Sequence, residues 1–340
     1  MIKRIKILAT GALLLAGLGA CSPSGKKTGA DSTVDTLRTA ETVNLLNNLR
    51  KVPTQGIMFG HHDDPLYGVG WEGDEDSSDV KSVCGDYPAV MSFDLGHIEL
   101  EREKSLDNVP FRKIRQETIN QYKRGGVVSF SWHLDNPLTG KDAWDVSDTT
   151  VVASILPGGV HHAKFISWLD AVAAFMNTLE TEEGTKIPVI FRPWHEHTGS
   201  WFWWGQNLCT ADQYKALWRM THDRMHARGV KNLLYAYSPG SEPKDSTAYL
   251  ERYPGDDIID LVGFDTYQFD RTQYMEQLDK SLAILTEVGK AHDKPIAITE
   301  TGFEAIPDSV WWTQTLYPVI SKYPISYVLV WRNARERVNH

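Results

Sequence analysis

The chain has 340 residues, 41% of them hydrophobic, with twelve tryptophans and a net charge of −9. That supply of apolar side chains is enough for one large core and excludes a wholly disordered chain. The acidic balance argues against nucleic acid or an acidic polymer as partner and suits a neutral one.

In chain order, residues 1–6 are basic, and residues 7–19 form an apolar stretch too short to cross a bilayer comfortably. The stretch ends Leu18-Gly19-Ala20-Cys21, which resembles a bacterial lipoprotein box. The resemblance implies a signal peptide over residues 1–20 and lipidation of Cys21. An ordinary secretory signal, with Cys21 incidental, is the alternative. Ser22 favours the outer membrane of a bacterial cell envelope. Residues 21–35 are mostly small and polar, as a flexible tether should be. The remainder, residues 36–340, reads as one domain.

Eight short, mostly apolar runs predict strands at 57–60, 89–93, 127–132, 188–193, 233–237, 261–265, 296–299 and 327–331. Helical spacing lies between many of them, at 111–124, 163–178, 211–228, 272–291 and 309–322. Asp212 and Asp308 sit near helix starts, and Gly125 and Gly229 near ends. Eight strands alternating with helices predict an α/β fold, a (β/α)8 TIM barrel. No glycine-rich nucleotide loop follows the first strand, which speaks against a doubly wound sheet. Nine residues after Trp331 are too few for a closing helix. Either the final C-terminal helix is lacking through truncation, the preferred reading, or a helix near residues 36–51 covers the first and last strands. Cys84 and Cys209 fall near opposite ends of such a barrel and are read as unpaired.

Barrel enzymes gather their chemistry at the C-terminal strand ends. Here those ends carry His61, His62, Asp63 and Asp64, then Asp94, His133, Arg192 to Glu196, Tyr237, Asp265 to Tyr267, Glu300, and Trp331 to Asn333. Each alone has an ordinary packing role; their shared end argues for a site. The densest stretch runs Arg192-Pro193-Trp194-His195-Glu196-His197-Thr198-Gly199-Ser200-Trp201-Phe202-Trp203-Trp204-Gly205. Four indoles near one carboxyl suit a sugar substrate, with rings stacking on pyranose faces and a dry pocket raising the carboxyl pKa. A second apolar strand ends in Glu300. Two such carboxyls are the minimum for glycoside hydrolysis.

This order of glutamates, after the fourth strand and at the end of the seventh, resembles the large clan of retaining barrel glycosidases. Ser131-Trp132-His133-Leu134-Asp135-Asn136-Pro137, the block above, Gly263-Phe264-Asp265-Thr266-Tyr267 and Trp331-Arg332-Asn333-Ala334 are similar to glycoside hydrolase family 26, whose members are mostly β-mannanases. The resemblance implies an endo-acting hydrolase of β-1,4-mannosidic bonds, with Glu196 as general acid/base and Glu300 as nucleophile. It further implies His195 beside the acid, Arg192 and Tyr267 bonded to Glu300, and Trp201 and His133 lining the cleavage site. Trp331 forms the sugar platform, Asp265 and Arg332 give polar contacts, and Trp144 reaches in from the insertion between the third and fourth strands. No cofactor or metal is implied. The partners are β-mannan or manno-oligosaccharides and, through the lipid, a membrane; a monomer is expected. A β-1,3-1,4-glucanase or xylanase is the nearest rival. Zinc hydrolysis through His61, His62, His195 and His197, or a catalytically dead glycan-binding lipoprotein, are readings of other classes.

Overall fold

The structure is a computed structural model that describes residues 38–333. Eight parallel strands close into a barrel: β1 Met58–His62, β2 Val90–Asp94, β3 Val127–Ser131, β4 Val189–Arg192, β5 Leu233–Tyr237, β6 Leu261–Gln268, β7 Ile296–Phe303 and β8 Tyr327–Val330. The ring closes where β1 pairs with both β8 and β2, Met58 opposite Tyr327 and Gly60 opposite Val90. All eight predicted runs overlap an observed strand. β6 and β7 extend three or four residues further than their apolar stretches, because they continue past the core to carry site residues.

Nine α-helices flank the barrel or fill its loops: α1 Ala40–Lys51, α2 Asp79–Cys84, α3 Phe111–Lys123, α4 Val151–Ile155, α5 His162–Asn177, α6 Ala211–Ala227, α7 Ser246–Leu250, α8 Arg271–Ala291 and α9 Tyr317–Ile320, counted among the described residues. Helix α6 begins with a capping box between Thr210 and Gln213. Gly125 and Gly229 follow α3 and α6 in the left-handed region, at φ 82° and 72°. The helix expected over 309–322 is instead a π-helical turn, Trp312–Leu316, running into α9. Pro318 has no N–H to offer the Gln314 carbonyl four residues back, and Arg271 Nη2 takes that carbonyl at 2.9 Å.

Helix α1 does not lie over β1 and β8. Its Leu49 packs with Val90, Val127, Ile190, Leu234, Leu261 and Tyr327, the inward residues of the lower barrel. Its contacts fall on residues just before strands: Thr39 N–H to the Lys231 carbonyl, Arg38 to Asp260, and Ser326 Oγ to the Leu49 carbonyl. The helix therefore plugs the N-terminal mouth. A second, larger cluster fills the space between the strands and the outer helices. Cys84 is exposed, Cys209 is buried, and both are free thiols. The lipoprotein box, Cys21 and the tether lie outside the described residues, as does everything after Asn333.

Candidate active site

The site stands on the C-terminal strand ends, where the barrel needs no apolar filling. Strand β4 ends at Arg192, and the chain then turns through Trp194 at φ 59° and Glu196 at φ 50°. Non-glycine residues enter this region at a cost, so the turn needs outside support. Helix α6 supplies part of it: Tyr214 donates to the Trp194 carbonyl at 2.6 Å, and Trp194 Nε1 donates to Thr221 Oγ1 at 3.3 Å. Trp204 Nε1 donates to the His195 carbonyl at 2.8 Å, and the Glu196 N–H reaches the Ser238 carbonyl at 2.8 Å.

The four indoles of this block divide their labour. Trp194, Trp203 and Trp204 are fully buried and pack against one another and against Trp132 and Phe202. Only Trp201, 41% exposed, meets the carboxyl, with Nε1 donating to Glu196 Oε2 at 2.7 Å. The expected ring of indoles around Glu196 is thus one indole at the surface above a floor of three in the core.

Glu300 lies near the end of β7, buried. Arg192 Nη2 contacts its Oε2 at 2.5 Å, and the Tyr267 hydroxyl donates to its Oε1. Both oxygens thereby accept a bond, one of them from a cation, which is the environment of a carboxylate. Arg192 is fixed in turn by Asp265, Nη1 to Oδ2 at 2.7 Å, while Thr299 donates to Asp265 Oδ1 at 2.8 Å. The β6–β7 pairing shifts register between Phe264 and Asp265, and this sets Asp265 opposite Glu300. Asp265, expected to give polar contacts, orients Arg192 and also lines a hollow beside Glu196. Burial, reinforced by the charges of Glu300 and Asp265, raises the Glu196 pKa well above the usual carboxyl range; the Trp201 bond opposes the rise.

His133 follows β3 and is anchored by Asp94 at the end of β2, Nδ1 to Oδ2 at 2.7 Å. Burial opposes ionisation of Asp94, but the His133 ring, Ser131 and the Gly96 N–H together hold its carboxyl well below the ordinary range. The other His133 nitrogen meets His195 Nε2 at 3.0 Å. Burial, with the Arg192 charge next, keeps the His195 pKa well below its ordinary value. Its bonded partner is His133, and its contribution to Glu196 runs through the backbone turn. Trp144 stacks on His133, rings 5.4 Å apart at 12°.

Trp331 leaves β8 and stacks on His62, 3.9 Å apart at 18°. His62 lies 3.6 Å from Asp63 and 3.9 Å from Asp107, and Arg332 Nε reaches Asp107 at 3.4 Å. Burial works against a charge on His62, yet the two carboxylates outweigh it and raise its pKa. Among the described residues, His62, Asp63 and Asp107 form the one group disposed to hold a metal ion; His61, His195 and His197 are not in it.

Glu196, Glu300, His133, Trp144, Trp201, Tyr267, Trp331 and Arg332 all line one hollow of about 230 Å³. Sequence reasoning missed four supports. Asp107 sits in a loop with no strand signal. Ser238, just after β5, and Thr299, within β7, are small hydroxyls beside or in apolar runs. Glu99, buried and pushed up to about 7 by that burial, accepts from Trp132 Nε1 and the Asp135 N–H and so fixes the loop that carries His133. A carboxyl just after an apolar strand was the available signal for Glu99.

Residues 34–325 match the model of glycosyl hydrolase family 26. The chain belongs to that family. It is 35% identical over 320 residues to a mannan endo-1,4-β-mannosidase of Bifidobacterium adolescentis, covering 87% of this chain and 31% of that protein. A mannan endo-1,4-β-mannosidase of Bacillus subtilis is 27% identical over 347 residues, covering 97% of this chain and 89% of its own length. Among solved structures, a family 26 β-mannanase from Bacteroides ovatus is 64% identical with a TM-score of 0.87, covering 88% of this chain and 87% of that one. The chain spans about a third of the Bifidobacterium protein's length and about half that of a Caldalkalibacillus mannanilyticus relative.

Proposed function

We propose that this family 26 hydrolase is an endo-β-1,4-mannanase acting with retention of anomeric configuration. One observation carries the mechanism: Glu300, whose two oxygens accept from Arg192 and Tyr267, shares a hollow with Glu196, whose pKa is raised. In the first step Glu300 attacks the anomeric carbon while Glu196 protonates the departing oxygen, giving a glycosyl-enzyme. In the second, Glu196 takes a proton from water, which displaces Glu300. Mannan as substrate is supported by the names of the relatives above. The first product released should be the β-anomer, read by proton NMR within minutes of mixing, and linear mannan should be cut faster than mixed-linkage glucan. Initial release of the α-anomer would overturn the mechanism; preference for the glucan would overturn the substrate. The glucan reading has its own support in a 26% identical match, over 154 residues, to endoglucanase H of Acetivibrio thermocellus.

Lipidation at Cys21, an outer-membrane location and a monomeric state belong to the same proposal. The basic start, the short apolar run and the lipoprotein box support the anchor. Among the described residues no helix is long and apolar enough to cross a membrane. Cys21→Ala should move the protein from the membrane to the soluble fraction, and wild-type protein found wholly soluble would count against lipidation.

A further inference from the structure

A second hollow of about 540 Å³ opens beside the first, and Glu196, Trp201 and Tyr267 line both. Glu300, His133, Trp144 and Trp331 line only the first. The far wall of the second hollow is made by Gly240 to Glu242, which follow β5, and by Phe269 to Gln277 at the start of α8. Its volume is in the range of ligand sites. The wall is pre-built. Thr198 donates to Glu242 Oε2 at 2.6 Å while accepting from the Gly240 N–H at 2.9 Å. Gln277 donates to the Ser241 carbonyl, and Asp270 caps α8 through the Gln273 N–H at 2.9 Å. On the lip, between β6 and α8, stands Phe269, 96% exposed. A phenylalanine so exposed gains nothing from folding, and an aromatic face on the lip of a hollow already lined by Trp201 and Tyr267 fits stacking on a ligand.

The direction of the cleft follows from which carboxyl lines which hollow. The sugar that becomes attached to Glu300 must sit in the hollow that Glu300 lines. The leaving oxygen is protonated by Glu196, so the departing chain extends to the side where Glu196 is present and Glu300 is not. On this basis, which rests on the hydrolytic reading above, the second hollow is the leaving-group side of the cleft, and we propose that Phe269 is a specificity-determining residue there. Phe269 stacks on a sugar beyond the first leaving residue, and Glu242 accepts bonds from sugar hydroxyls. Phe269 then governs where along a chain the enzyme cuts and how long a substrate must be.

The test compares wild type, Phe269→Ala and Phe269→Trp on reducing-end-labelled mannopentaose and mannohexaose and on an aryl β-mannobioside, whose leaving group extends no further than the first position. Being so exposed, Phe269 can be replaced without a folding change, which thermal unfolding verifies. For Phe269→Ala, the ratio of kcat/KM on mannohexaose to that on the aryl glycoside should fall roughly five- to tenfold, the scale of one lost stacking face. The preferred cut in labelled mannopentaose should move toward the reducing end, and Phe269→Trp should retain both properties. An unchanged ratio and cut position, or an equal loss on both substrate types, would overturn the assignment. Inactivity of the wild type on mannan would instead overturn the proposed function. The same ratio measured on whichever β-glycan is cleaved would still judge Phe269.

Discussion

At the residue scale, the two glutamates differ only in what surrounds them. Glu300 accepts from a guanidinium and a phenol; Glu196 accepts from one indole and sits near two negative charges. Glu300→Ala should therefore abolish turnover of every substrate, since no glycosyl-enzyme can form. Glu196→Ala should cost roughly 10²–10⁴-fold on mannan but spare the first step with an activated aryl glycoside, which needs little protonation. Burst kinetics on that glycoside separates the variants, and equal losses would refute the division of roles. Trp201→Phe keeps the ring and removes its donor. The N–H bond favours the ionised carboxyl, so its loss raises the Glu196 pKa further. The proton then persists to higher pH, and the alkaline limb of kcat/KM should move upward. A limb that stays or moves down would show that Glu196 does not set it.

At the element scale, strand ends supply reactive groups and neighbouring strand ends supply their supports. Asp94 at the end of β2 serves His133 after β3, and Ser238 after β5 serves Glu196 after β4. Asp94 has a stability consequence. Its folded pKa lies below the unfolded value near 3.8, so the unfolded chain binds more protons as acid is added. The contribution is fully present above that value and is lost as the pH falls through the folded pKa. Asp94→Asn should be less stable by about 1–3 kcal/mol at neutral pH and lose less between pH 5 and 3 than wild type, as read by thermal unfolding. A parallel pH dependence would mean that Asp94 is not the group concerned.

At the scale of the whole molecule, the barrel is a tube with two different ends. Polar groups occupy one mouth, and α1 stoppers the other with Leu49. Leu49→Ala leaves a cavity where no strand can collapse inward. It should cost about 2–4 kcal/mol in denaturant unfolding while leaving kcat/KM on mannan at its wild-type value, since the site is at the opposite mouth. A loss of activity without loss of stability would show that the two ends communicate.

The sequence by itself determined the eight strands, the barrel class and the pair of glutamates. Buried parallel strands must be continuously apolar, and a carboxyl at the end of such a run is conspicuous. It also marked Arg192, Tyr267, Trp331 and His133, because each directly follows or ends an apolar run. Tertiary structure alone decided which neighbours each group has. Three of the four indoles beside Glu196 turned inward, Asp265 was committed to Arg192, and His195 was aimed at His133. It also brought together His62, Trp331 and Asp107, which are far apart in the chain, and set Glu242 and Phe269 on one wall. Spacing along a strand tells which mouth a residue faces. The angular order around the ring, and the half-residue detail of a bulge or a left-handed turn, depend on packing against strands and helices distant in sequence, and these exist only once the barrel has closed.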